Sequence, residues 1–274
     1  MSETSNFDQI FRTGSRTFFY SSLFFPPEIK QDVFELYAFV RTADNYVDRV
    51  PAQSHGLESF HAHYLKATHG EISGNPVVDQ FVKLSRKRNF DPLWIDAFFD
   101  SMMSDLVPVP CATLDDTLKY IYGSAEVVGL MMCKILSLPE IAYPAARALG
   151  KAYQYINFIR DIAEDLSLGR QYLPTDHLRQ FGLTSLNQAE TRHHADAFQK
   201  LMLFELELFD EWLNQGEQGY QYIPRRYRIP IATASAMYAW TGKQIRQNPF
   251  VVYERKVKPS TLRVVTSGLK HLLT

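Results

Sequence analysis

Apolar residues recur along most of the 274-residue chain at intervals of three and four, the repeat of helices with one buried face. No stretch of useful length alternates as a strand does. Helix starts are marked by Pro26-Pro27-Glu28 ahead of Ile29, by Asp91-Pro92 ahead of Leu93, and by Thr113 with Asp115 and Asp116 ahead of Leu118. The pattern predicts helices over residues 27–49, 55–69, 76–88, 92–105, 113–137, 139–166, 186–214 and 229–247. Residues 167–182, rich in Gly, Pro and charge, read as a long functional loop. Without a linker, an internal repeat or low-complexity sequence, this predicts an all-α chain forming one domain over residues 1–274.

Composition narrows the partners. Hydrophobic residues at 46% and charged residues at 22% are ordinary for a globular protein, so the chain should bury a large core. A net charge of −1, with basic residues scattered along the chain, argues against nucleic acid. Cys111 and Cys133 have neither metal-site spacing nor the density of a disulfide framework, which points to a reducing cytoplasm. The N-terminus lacks the basic and apolar regions of an export signal. The most apolar stretches, 18–26 and 120–138, are broken by prolines and by Glu126 and Lys134, so neither reads as a membrane span; peripheral contact with a bilayer stays open.

Two helical stripes carry chemistry. Arg41, Asp44 and Asp48 stand at i, i+3 and i+7, one polar face on an apolar helix. Carboxylates one turn apart repel unless a cation sits between them, and hard oxygen ligands of this kind suit Mg²⁺, with Mn²⁺ as a substitute. Taken alone, such a motif is more often a solvated face with a local ion pair. A second stripe changes that balance: Gln154, Asn157, Asp161 and Asp165 run at i, i+3, i+7 and i+11 between Tyr155, Ile156, Phe158, Ile159 and Ile162. A carboxylate stripe on a helix apolar nearly all round needs partners. Two such helices facing each other would grip a diphosphate through Mg²⁺, with Arg41 and Arg160 beside the motifs to take leaving phosphate oxygens. No glycine-rich nucleotide loop is present.

A third segment, Tyr120 to Met132, carries Gly123, Ser124, Ala125 and Gly129, which leave room either for a bulky ligand or for close helix packing. Tyr120 adds a phenol suited to a leaving group or to a cation. His193 and His194 read as solvent-exposed, Met131 and Met132 as core filling, and Trp94, Trp212 and Trp240 as packing residues.

These motifs resemble the squalene/phytoene synthase family from about Ser15 to Arg255, through Ser15-Arg-Thr-Phe-Phe-Tyr-Ser-Ser22, Arg41-Thr-Ala-Asp-Asn-Tyr-Val-Asp48, Tyr120-Ile-Tyr-Gly-Ser-Ala-Glu-Val-Val-Gly129 and Asn157-Phe-Ile-Arg-Asp-Ile-Ala-Glu-Asp-Leu166. Gly169-Arg-Gln-Tyr-Leu-Pro174, Tyr238 and Arg255 are similar to later family positions. The resemblance implies an isoprenoid synthase bundle with a central cavity, and Mg²⁺ with both substrate diphosphates held by Asp44, Asp48, Asp161 and Asp165. Arg41, Gln154, Asn157, Arg160, Tyr172 and Arg255 would contact diphosphate or the metal shell, and Tyr120 would assist catalysis.

The implied reaction joins two prenyl diphosphates through a cyclopropyl diphosphate. Phytoene-type members finish by losing a proton, whereas squalene-type members require NADPH. Within the segment containing Ser15 and Thr17, Ser22 puts a small side chain where an aromatic would shorten the pocket, which favours C20 substrates over farnesyl diphosphate, with Phe34 as a second wall. Two departures stand out: Asn45 where many members have Asp, and Glu126 where glycine is common. The remaining alternatives are a squalene, dehydrosqualene or presqualene diphosphate synthase and a catalytically silent assembly protein.

Overall fold

The computed structural model describes residues 16–273. The helices are α1 (Arg16–Ser22), α2 (Pro27–Val47), α3 (Ser54–Thr68), α4 (Pro76–Arg88), α5 (Pro92–Ser104), α6 (Leu114–Ile121), α7 (Val127–Ile135), α8 (Tyr143–Arg160), α9 (Ile162–Ser167), α10 (Thr175–Gln180), α11 (Gln188–His193), α12 (Ala195–Glu217), α13 (Arg225–Gln247), α14 (Val251–Glu254) and α15 (Thr261–Leu273). Short 3₁₀ turns precede α8 and α13, and no strand occurs among the described residues.

Local chemistry explains the starts. Asn75 accepts from the amides of Val77 and Val78, and Asp91 from that of Leu93, each with a proline at the first helical position. Thr113 and Asp116 form a reciprocal capping box at the head of α6.

Apolar faces meet in two clusters. The first gathers Phe39, Phe60, Phe81, Phe98 and Phe99 from α2 to α5. The second gathers Tyr155, Ile156 and Ile159 of α8 with Phe198, Leu206 and Phe209 of α12. Trp94 and Trp212 are buried packing residues as expected, and His193 and His194 are exposed.

Three departures from the sequence pattern matter for function. The expected helix over 113–137 is interrupted by a π-helical turn, Tyr122–Glu126. There Gly123 lies so close to α5 that a Cβ would stand 2.1 Å from the Ala97 carbonyl oxygen. The expected helix over 139–166 begins at Tyr143 and breaks at Asp161, which ends α8 and precedes α9 with φ −102° and ψ 17°. Within the loop 167–182, α10 forms a short helix, and α1, α14 and α15 lie outside every predicted helix.

Candidate active site

A cavity of about 910 Å³ opens between α2, α8 and the π-helical turn, and both carboxylate stripes line it. Asp44 and Asp48 enter from the C-terminal end of α2, where Asp48 caps the helix by donating its amide to the Asp44 carbonyl. Gln154, Asn157 and Arg160 come from α8, Asp161 from the break, and Asp165 from α9. Ser22, Arg41, Tyr120, Tyr172 and Tyr238 also line the cavity. The polar positions therefore converge from six separate segments of sequence.

The carboxylates are held by cations. Arg41 reaches Asp44 at 2.5 Å and Asp48 at 3.6 Å. Arg170 donates to Asp48 at 3.0 Å and to the Val47 carbonyl at 2.6 Å. Arg160 pairs with Asp161 at 2.5 Å, and Lys256 lies 3.3 Å from Asp161 and also pairs with Glu164. Crowded acids in a poorly hydrated cleft resist ionisation. Burial and then the Asp48 charge raise Asp44 to about 6. Burial and then Asp161 raise Asp165 to about 8, against the opposing pull of Arg170.

Asp105 organises the cavity wall and went unnoticed in the sequence. Its buried carboxylate accepts from the phenols of Tyr120 at 2.6 Å and Tyr172 at 2.7 Å, and the two phenol oxygens lie 3.4 Å apart. Burial lifts Asp105 above the usual carboxylate range and drives both tyrosines well above theirs, so the phenols stay neutral. With both protons committed to Asp105, Tyr120 and Tyr172 offer the cavity oxygen lone pairs and ring faces, which suit a cation better than a leaving diphosphate. No spacing rule links Asp105 to tyrosines 15 and 67 positions away. Arg170, Lys256 and Lys258 are further lining residues outside the predicted set, although Arg170 belongs to the Gly169–Pro174 segment.

Other expectations resolve differently. Arg255 is exposed and does not line the cavity; Lys256 and Lys258 do, because the chain is extended there and successive side chains point apart. Ser15 and the side chain of Thr17 lie outside the described residues. Phe34 is buried against Phe19 and does not line the cavity, whose wall here is Ser21, Ser22, Phe25 and Val33. Asn45 does not line the cavity either. Glu126 turns away from it, buried in ion pairs with Arg147 at 2.7 Å and Lys151 at 3.5 Å. Gly123 and Gly129 serve close packing, against Ala97 and Ala146, while Ser124, Ala125 and Gly129 also face the cavity. Met131 is core, but Met132 lines the cavity.

The donor set fits a hard divalent cation. The four carboxylates of the two stripes face one cavity, together with Asp105 and Glu164, and the buried side-chain oxygen of Asn157 has no hydrogen-bond partner. Among the described residues, no three Asp, Glu, His or Cys side chains converge on a single metal position. Mg²⁺ commonly takes one or two protein carboxylates and completes its shell with water and phosphate oxygens.

The family model described as squalene/phytoene synthase matches residues 11–263. The 15-cis-phytoene synthase of Enterobacter agglomerans is 29% identical over 271 residues, covering 93% of this chain and 92% of its own. The phytoene synthase of Pseudescherichia vulneris is 27% identical over 263 residues, covering 90% and 84%. Among solved structures, a dehydrosqualene synthase in complex with ligand superposes with a TM-score of 0.86 at 23% identity, covering 98% of this chain and 95% of that one. A squalene synthase from Alicyclobacillus acidocaldarius superposes with a TM-score of 0.80 at 22% identity, covering 90% and 94%. These two establish the all-α fold, and with the family match across the motifs described above, the chain belongs to the squalene/phytoene synthase family.

Proposed function

We propose that the protein condenses two geranylgeranyl diphosphates head to head into phytoene, without a reductant. The observation that carries this reading is one cavity with both aspartate stripes among its polar lining and an apolar remainder built from Val33, Val128, Leu136, Ala146, Leu149 and Ile231. Relatives named phytoene synthase support the choice of product over the squalene type.

In the first half-reaction one substrate loses diphosphate by C–O cleavage, and its allylic cation alkylates the double bond of the second. Loss of a proton closes the cyclopropane. In the second half the remaining diphosphate leaves, the ring opens with rearrangement, and loss of another proton gives the hydrocarbon. Two substrates thus become one phytoene, two diphosphates and two protons, with no change in oxidation level.

Asp44, Asp48, Asp161 and Asp165 would hold Mg²⁺, which supplies charge neutralisation for the departing diphosphate. Arg41, Arg160, Arg170 and Lys256, which now pair with carboxylates, surround the same region together with Lys258 and would bind phosphate oxygens. Tyr120 and Tyr172, anchored by Asp105, present electron-rich faces to the carbocations. The apolar wall excludes water that would otherwise trap those cations as alcohols.

Substrate choice tests the reading. Ser22 is 3% exposed, donates to the Phe19 carbonyl at 2.7 Å and leaves volume that an aromatic would fill. Geranylgeranyl diphosphate should be preferred to farnesyl diphosphate, with or without NADPH, and Ser22→Phe should shift the preference tenfold or more towards the shorter chain. Turnover of farnesyl diphosphate alone by the unaltered protein, or a need for NADPH, would move it to the squalene branch.

A further inference from the structure

Each acid stripe carries cations of the protein's own, and these are mounted in different ways. Arg41 reaches Asp44 and Asp48 from the helix that bears Asp44, α2. Arg160 is the chain neighbour of Asp161 and donates to both of its carboxylate oxygens. Arg170 is 6% exposed and is tied to the Val47 carbonyl as well as to Asp48. Lys256 is of another kind. It stands 92 residues beyond Glu164 in the chain, pairs with that carboxylate, and lies 3.3 Å from Asp161. One ammonium thus bridges two acids of the second stripe.

The mounting of Lys256 leaves its side chain free to change partner. Residues 255–259 run between α14 and α15, and Arg255 is extended at φ −163° and ψ 152°. Alternate side chains of an extended chain share a face. Lys256 and Lys258 line the cavity, while Val257 between them is 1% exposed and belongs to the core cluster of α8 and α12. Val257 pins the backbone, so a change of partner needs only the lysine side chain to turn. That side chain is a point charge on a flexible four-carbon stem, unlike the planar fork of arginine. Lys256 and Glu164 are 34% and 57% exposed, so water competes for their pair. Asp161 keeps the Arg160 fork when Lys256 leaves.

An ammonium and a divalent cation compete for the same oxygens of Asp161, and like charges at neighbouring positions repel. A diphosphate offers the ammonium a more highly charged partner. Lys258 adjoins on that side: burial and then the Lys256 charge lower its basicity.

We propose that Lys256 is an exchange cation, which holds Asp161 and Glu164 until a diphosphate draws it away and thereby makes metal and diphosphate bind cooperatively. Metal alone has to displace the lysine. Metal arriving with diphosphate does not, because the phosphate oxygens take the ammonium as the carboxylates release it. Such coupling is reciprocal, so bound metal also frees the lysine for the diphosphate. The exchange rests on the reading of these acids as a metal and diphosphate site, and not on the choice of product.

The test is titration calorimetry of the full-length protein, first with MgCl₂ alone and then with inorganic diphosphate at a fixed Mg²⁺ concentration. Lys256→Gln should bind Mg²⁺ alone about tenfold more tightly and diphosphate about tenfold more weakly than the unaltered protein. The opposite signs separate exchange from a structural role, which would weaken both or neither. Lys258→Gln removes an equal charge beside the cluster; it should weaken diphosphate binding yet move Mg²⁺ affinity by less than about threefold. Both variants should keep their helical circular dichroism, since Val257 and the Arg160–Asp161 pair are untouched. Mg²⁺ affinity in Lys256→Gln no higher than in the unaltered protein, undetectable binding by both included, overturns the inference. So does an equal gain in Lys258→Gln, which would reduce the effect to overall charge. An unaltered protein that binds no diphosphate even with Mg²⁺ would overturn the reading of the site itself, and the exchange with it.

Discussion

Asp44 and Asp165 hold protons at a pH where ordinary carboxylates have lost them, because each sits beside another acid in a cleft poor in water. The native state therefore binds more protons than the unfolded chain between about pH 4, where free Asp titrates, and the raised values near 6 and 8. Without metal, these groups cost stability as pH rises through that window. Mg²⁺ needs the ionised form, so its binding should release protons and relieve the cost. The rise in thermal midpoint on adding Mg²⁺ should be larger at pH 8 than at pH 6; equal rises would contradict the carboxylate assignment. Asp48→Asn and Asp161→Asn should each abolish turnover while midpoints stay within a few degrees, since the amide oxygen still accepts from Arg170 or Arg160. Asp105→Asn removes the charge that takes both phenol protons, and should lower kcat about 100-fold with a smaller change in KM. An unchanged kcat would leave Asp105 a purely structural role.

The helices show which parts of the sequence could be read. α2, α5 and α6 begin where Pro26-Pro27, Asp91-Pro92 and Thr113 predicted them, because caps are local. The π-helical turn is not local: it forms where Gly123 must pass the α5 backbone, which depends on a helix that the periodicity of its own segment cannot reveal. The break at Asp161 likewise turns a stripe expected on one helix into donors from α8 and α9. α10 was hidden by the loop-like residues around it and is fixed by tertiary contact. Its His177 lies 3.0 Å from Glu205 of α12, which is fully buried and also accepts from Tyr155 of α8. This network ties the segment bearing Arg170 and Tyr172 to the core. Glu205→Ala should destabilise the protein by about 3 kcal/mol in urea unfolding, and Glu205→Gln by less, because the amide can still accept from Tyr155. A loss under 1 kcal/mol for the alanine variant would show that the network contributes little to the fold.

At the scale of the molecule, the four aspartates were legible because helical spacing puts each pair on one face, and their union in one cavity followed from the need of buried carboxylates for partners. Asp105, Arg170, Lys256 and Lys258 were not legible as partners, since they meet the site through contacts distant in sequence. Arg255 was misplaced by a single residue in an extended segment, where one step reverses the side chain. The resulting account makes both stripes halves of one metal-dependent site that consumes two long prenyl chains. The most direct measurement incubates the purified full-length protein with geranylgeranyl diphosphate and Mg²⁺, without reductant, and quantifies hydrocarbon and diphosphate together. The account predicts phytoene with two diphosphates released for each molecule formed, and no release once a chelator is added. Release of diphosphate that persists in the chelator, or that proceeds without a C40 hydrocarbon, would contradict it.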